Sequence, residues 1–343
     1  MVAYIVRRLL LLPFVAFGVI LLVFATLQLL NPYQRVSVYV SSPKELATVD
    51  VGEIIEEFGL DRPAWEQFAT WFGRILDGEW GWSTAARRPV LDAIKRYLPQ
   101  SAELALWSFF PTMLGGIGLG VLAARRRNRL TDALVRIGSV VGWSLPSFVL
   151  GLVALVLFYG VLEWFPPGRL SLAGSAIVHS DAFTIYSGML VLDAILNGAW
   201  FVLGDALRHL VLPVLVTSLV NLAFLLRITR TSVLEALGQE YVTTARSKGL
   251  HERVVVGKHV LRNAMLPVAT IAGLSVAMLV NGMVIAETIF NLPGVGLWVA
   301  SAAAALDVPA LVGYLLLSSS LIVLVNLTVD ISYALIDPRV RLR

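Results

Sequence analysis

Six stretches of this chain run for the width of a bilayer with almost no charged residue, and no other feature constrains the fold as much. They are Leu9–Leu30, Leu104–Ala124, Ile137–Leu162, Leu210–Leu226, Asn263–Ala286 and Val308–Val329. Crossing the hydrocarbon core takes about 20 mostly apolar residues. Each run therefore predicts a membrane-spanning helix, the fourth starting near Ala206 because Leu210–Leu226 alone is short. Gly188–Gly204 is a weaker apolar stretch, broken by Asp193 and Asn197, and reads as an interfacial helix rather than a seventh span. Only 15% of the 343 residues are charged, against about a quarter in a soluble domain. The fold class that follows is all-α: a polytopic membrane protein with six transmembrane helices. The first run follows Arg7 and Arg8, but it is too long for a signal peptide. No small-residue cleavage site follows it before Asn31-Pro32, so it reads as a retained anchor.

Basic residues orient the spans. With the N-terminus inside, segments 1–8, 125–136, 227–262 and 330–343 hold 17 of the 27 Lys and Arg. The outer segments 31–103, 163–209 and 287–307 hold the other 10 over about twice the length. Lys and Arg concentrate in cytoplasmic loops, so both termini are expected in the cytoplasm. Arg125-Arg126-Arg127-Asn128-Arg129 then anchors a span end against anionic headgroups.

Several function classes are excluded by what is missing. There is no cysteine, and His179, His209, His251 and His259 are scattered, so no metal motif is visible. The span middles lack ionisable residues, whereas carriers driven by ions keep such groups within the membrane. Glu287 and Asp330 sit at span edges. No nucleophile, base and orienting group form a set. The glycine cluster Leu114–Gly120 lies inside an apolar run with no Lys-Ser or Lys-Thr after it, so it suits close helix packing. Gly257-Lys258 is followed by His259 and is no phosphate loop. No cofactor is expected. These absences weigh against the rival reading, a self-sufficient secondary transporter or an intramembrane enzyme.

Residues 31–103 form a polar insertion, too long for a simple connection. Asp50–Phe58 and Arg62–Leu76 read as helices, the second with Asp61 as N-cap and Pro63 in its first turn. Trp65, Phe68, Trp71 and Phe72 fall on one face and are expected to pack on the spans or the membrane surface.

The most elaborate polar segment is internal: EYVTTARSKGLHERVVVGKHVLRNAMLP, Glu240 to Pro267. Val242, Ala245 and Gly249 share a helical face. Ala and Gly leave that face flat enough to enter a partner's groove, with Arg246 and Lys248 flanking it. Gly249 marks a helix break or a close approach. Ala245-Arg246-Ser247-Lys248-Gly249 resembles the coupling motif of permease subunits in binding-protein-dependent ABC importers. The surrounding Tyr241-Val242, Leu250, His259, Arg262-Asn263-Ala264 and Pro267 resemble the dipeptide/oligopeptide/nickel branch. Thr243 stands where the generic motif has Glu. The resemblance extends over Tyr4–Leu10, Gly59–Pro63, Gly78–Ser83, Leu98–Leu104, Glu287–Gly296 and Asp337–Arg341, and it departs at Asn31-Pro32-Tyr33-Gln34.

The resemblance implies a type I importer permease fold, the first of two permease subunits. Residues 1–30 are the anchor, 31–103 the outer insertion, 104–336 a five-helix core with coupling loop 227–262, and 337–343 a cytoplasmic tail. The implied partners are a homologous second permease, two ABC ATPase subunits, an extracytoplasmic substrate-binding protein and membrane lipid, with no nucleic acid. ATPase coupling is assigned to Val242, Ala245, Arg246, Ser247, Lys248 and Gly249. The implied cargo is a di- or oligopeptide, with nickel chelates or other small solutes as the alternative.

Overall fold

A computed structural model describes residues 2–39 and 51–336. The expected helix start at Asp50 and the tail motif Asp337–Arg341 lie outside the described residues. The chain is helical almost throughout. In order it forms α1 (Val2–Leu27), α2 (Pro32–Tyr39), α3 (Val51–Glu57), α4 (Ala64–Leu76), a two-residue antiparallel ribbon pairing Trp82 with Pro89 and Ser83 with Arg88, and α5 (Val90–Arg125). Next come α6 (Leu130–Ser144), α7 (Ser147–Ala154), α8 (Leu172–Val178), α9 (Leu190–Leu196), α10 (Trp200–Leu237), α11 (Glu240–Ser247) and α12 (Glu252–Val254). The chain ends in α13 (Leu261–Phe290), α14 (Val295–Ala304) and α15 (Val308–Ile336). Among the described residues, α5, α10 and the Val308–Thr328 part of α15 are long and apolar enough to cross a membrane singly.

The structure differs from the expected spans in three places. The run Ile137–Leu162 is not one helix: α6 and the segment Ser147–Val161 meet at 103°. Pro146 is the reason, since it lacks an N–H and disfavours helix at the residue before it. Leu145 is accordingly extended, with ψ 128. The second span begins at Val90 rather than Leu104, and the fourth at Trp200. Both helices extend past the apolar run at their N-terminal ends. Gly188–Gly204 is no single interfacial helix. It splits at Gly198 (φ 63) into α9 and the first turn of α10. Asp193 and Asn197, which interrupt its hydropathy, hold the preceding loop through Ser187, Gly188 and Thr184.

The centre of the bundle is the contact of α5 with α10, and the glycine cluster makes it possible. A Cβ on Gly120 would lie 2.6 Å from Thr229 Cβ and 2.9 Å from the Leu226 carbonyl oxygen, and one on Gly116 would lie 2.9 Å from Leu225. Small residues let the two backbones approach where lipid supplies no hydrophobic drive between helices.

The described residues of the insertion pack on the C-terminal half of α1 and the N-terminal half of α15. Trp71 is buried and tilted against Phe24, and Phe68 meets Phe17 and Phe24 edge to face. Trp65, expected on the same face, is exposed. Helix α4 starts two residues later than the Asp61 signal implied. Pro63 takes the N-cap position and supplies no side-chain bond.

Candidate functional site

The outer motifs become intelligible as helix caps. Glu287, near the end of α13, is buried and turns back across the Asn291 turn to cap α14. Its Oε2 accepts the Gly296 N–H at 2.6 Å and the Leu297 N–H at 3.1 Å. Ser101 of α5 donates its hydroxyl to Oε1 and accepts the Val295 N–H at 2.8 Å. An anion at a helix N-terminus meets unpaired N–H groups and the positive end of the dipole. Both glycines of Pro293-Gly294-Val295-Gly296 are needed for room. A Cβ on Gly294 would collide with the Glu287 carboxylate, and one on Gly296 would lie 2.5 Å from Val284 Cα. The turn bends the α13–α14 pair by 82°.

Two further carboxylates repeat the device. Glu103 accepts the Leu190 and Val191 N–H groups at the start of α9 and pairs with Arg169. Asp307 accepts Ser83 Oγ at 2.7 Å, the Ala85 N–H at 2.9 Å and the Ala310 N–H at the start of α15. Ser83 in turn accepts the Trp298 indole N–H at 3.1 Å. The segments Gly78–Ser83, Leu98–Leu104 and Glu287–Gly296 thus fasten α5, α9, α14 and α15 together at one end of the bundle.

At the opposite end lies the segment singled out by its basic residues. Helix α11 stands between the end of α10 and the start of α13. Val242 and Ala245 lie together on its inner face, as their spacing predicts. That face is filled by the chain's own Ala124, Val233, Ala236, Val255, Val260 and Ala264. Val242 is 0% exposed, so the flat face is spent on intramolecular packing and is closed to a partner. An eight-residue helix is too short to persist unaided, and burying one apolar side contributes its stability. Arg246, Ser247, Lys248 and Gly249 are exposed, as is Tyr241.

Gly249 is not brought to the Val242–Ala245 face. It stands just past the helix end with φ 74, and a Cβ there would meet nothing within 4 Å. Its N–H bonds the Arg246 carbonyl at 2.9 Å, and the Leu250 N–H bonds that of Ala245 at 3.4 Å. This is the glycine-terminated helix end in which a left-handed residue recovers the last carbonyls. The glycine is therefore a helix break, not a close approach. Gly249→Ala is expected to destabilise the turn by about 1 kcal/mol, and Gly249→Asn by less. Amide exchange at Lys248–Leu250 checks this order.

Beyond the turn, Arg246 folds back on Glu252, with Nη2 to Oε1 at 2.7 Å and Nε to Oε2 at 3.1 Å. The Arg246 hydrogen bonds hold the Glu252 carboxyl below its ordinary range. A depressed carboxylate contributes stability above its unfolded pKa and loses it as pH falls through the lowered folded value. The clasp therefore stays closed through neutral pH. Both groups are about half exposed, so its contribution is small.

The loop is continuous with the bundle. Helix α12 passes through a π-helical turn, Val255–Val260, directly into α13. Val255 and Val260 are wholly buried in that turn. On the other side, Arg230 of α10 donates to both oxygens of Asp132, at 2.7 and 2.9 Å, and ties α6 to the same end. Packing of Val242 and Ala245 against Val233, Val255, Val260 and Ala264 joins α11 to α10 and α13, although turns at 238–239 and 248–251 interrupt the helical path.

Comparison with known proteins agrees with this geometry. Residues 116–342 match the family described as binding-protein-dependent transport system inner membrane component. The chain is 40% identical to the probable D,D-dipeptide transport system permease protein DdpB of Escherichia coli over 84% of each chain. It is 37% identical to the di/tripeptide transport system permease protein DppB of Pseudomonas aeruginosa over 99% of each. It is 34% identical to the dipeptide transport system permease protein DppB of Escherichia coli, again over 99% of each. With the matched region running from within α5 through α10, the Glu240–Pro267 segment and the α13–α14 turn, this chain belongs to the family of inner-membrane permease components of binding-protein-dependent transport systems.

Proposed function

We propose that this chain is the first permease subunit of an ATP-driven importer of di- and oligopeptides. The observation that carries the substrate class is its likeness, end to end, to a permease named for di- and tripeptides. In this reading it has six spans, both termini lie in the cytoplasm, and a homologous second permease completes the translocation path. It hydrolyses no ATP itself. Two ATPase subunits grip the cytoplasmic loop, and an external binding protein delivers cargo to the capped outer face.

The reading of the loop is adjusted by its burial. Val242 and Ala245 brace α11 from within, Gly249 ends it, and Tyr241, Arg246, Ser247 and Lys248 form the face offered to an ATPase. Closure of the ATPases moves α11, and its packing against α10 and α13 turns that movement into a tilt of the bundle, an interface rotation of the alternating-access kind. The test is reconstitution with the cognate permease, ATPases and binding protein in proteoliposomes. ATP-dependent uptake of a labelled dipeptide is expected only from the full set. Uptake by this chain alone, or uptake of a nickel chelate with none of peptide, would overturn the assignment.

Topology is open to a direct check, because the chain has no native cysteine. Ser247→Cys is expected to react with an impermeant maleimide only from the cytoplasmic side, and Asp77→Cys only from outside. Reaction of both from one side would rule out the six-span arrangement.

A further inference from the structure

Between the outer half of α5, the segment leading into α9 and Pro293 lies a cavity of about 570 Å³. That is within the range of about 300–1,000 Å³ typical of small-molecule sites. Its lining carries three cations, Lys95, Arg96 and Arg169, and an apolar part made by Val178, Phe183 and Ile185. The carboxylates beside it are already engaged. Asp193 Oδ1 accepts the Ser187 N–H and hydroxyl, both at 2.8 Å, and Oδ2 accepts the Gly188 N–H at 3.0 Å. Glu103 is saturated by the α9 N-terminus and Arg169.

The cations are less committed. Among the described residues Arg96 has no carboxylate partner. Lys95 reaches only Asp92, at 3.7 Å, with both side chains more than half exposed. Such a pair holds little energy and yields easily. Arg169 is fixed through one nitrogen on Glu103, and among the described residues its remaining N–H groups have no protein acceptor.

We propose that this cavity receives a short peptide on its outer path, with the C-terminal carboxylate at Arg96 and Arg169 and the side chains along the apolar wall. The proposal rests on the peptide-importer reading and adds a subsite to it. A guanidinium meets a carboxylate through paired, charge-assisted hydrogen bonds that a neutral amide cannot replace. The apolar wall supplies area without choosing among side chains, as a carrier of varied peptides requires.

The experiment uses the assembled transporter in lipid nanodiscs without binding protein. Dialanine and dialanine amide are the probes, titrated by saturation-transfer NMR. Dialanine is expected to bind at least tenfold more tightly than its amide, the difference one charge-assisted hydrogen bond provides. Arg96→Gln is expected to remove that preference by weakening dialanine and sparing the amide. Arg87→Gln, an outer cation not lining the cavity, is expected to change neither. Equal binding of acid and amide, no dialanine binding, or an unchanged preference in Arg96→Gln overturns the subsite. So does an Arg96→Gln variant that loses affinity only for the liganded binding protein, which would make the cavity a protein-docking surface. Peptide uptake by the reconstituted wild-type set separates the two levels. Intact uptake with a failed subsite leaves the importer reading standing, whereas absent uptake removes both.

Discussion

Val242→Asp is expected to insert in the membrane normally yet recover almost no ATPase subunit and transport nothing. Val242 is wholly buried among Val233, Val255 and Val260. A carboxylate there has no cation or donor to meet it and must be hydrated, so α11 has to leave its seat. A cost of about 3 kcal/mol, modest for a buried charge, already lowers the seated population roughly a hundredfold. Ala245→Asp follows the same course, at 5% exposure. The mechanism differs from that of a lost partner contact, and a second variant separates them. Lys248→Glu reverses a charge on the exposed side, so it is expected to weaken ATPase recovery while amide protection across α11 stays as in wild type. In Val242→Asp that protection is expected to collapse. Normal ATPase recovery and transport by Val242→Asp would show that a seated α11 is not needed for coupling.

The second large effect is expected at the outer turn. Glu287→Leu removes the cap shared by Gly296, Leu297 and Ser101. It strands two N–H groups and a hydroxyl in a buried site, at about 1–3 kcal/mol for each unpaired group. Gly296→Val drives a branched side chain against the Val284 backbone, 2.5 Å from where its Cβ would stand. Backbone cannot step aside as a side chain tip can, so this variant is expected to accumulate poorly. Ser101→Ala loses the bond to Glu287 and strands the Val295 N–H but keeps the two N–H bonds to the carboxylate, so it is expected to sit between wild type and Glu287→Leu. Thermal unfolding in detergent, followed by near-UV circular dichroism, gives the ranking. A Glu287→Leu protein that melts with wild type would show that the turn holds without its carboxylate.

Much of the molecule was legible in its sequence, and the reason is the solvent. A bilayer demands long apolar helices, so Leu104–Ala124, Leu210–Leu226 and Val308–Val329 announce themselves, and each lies within a helix of the structure. The glycine run from Leu114 could be read as packing because its period and its apolar setting allow little else. The family was legible from local wording around Ala245–Gly249, since a short loop with a fixed job keeps its residues in sequence order. Breaks and caps were harder. Pro146 was visible, and its power to bend Ile137–Leu162 by 103° could have been inferred from proline chemistry alone. The ends of α5 and α10 could not, because they extend past the apolar runs on polar turns held by tertiary contacts.

Two matters were decided only by the tertiary structure. Helical spacing put Val242 and Ala245 on one side, but spacing is silent on whether that side faces a partner or the chain's own interior. It took the convergence of α5, α10 and α13 to supply a core for it. Likewise Ser101 and Glu287 are 186 positions apart, and nothing local marks them as partners. A buried carboxylate must find donors wherever the fold brings them. The sequence determined by itself that this chain lives in a membrane and which residues its loops are built from. Which of them support the loop and which stay exposed was settled by packing, because burial is a property of the assembled bundle and not of any one segment.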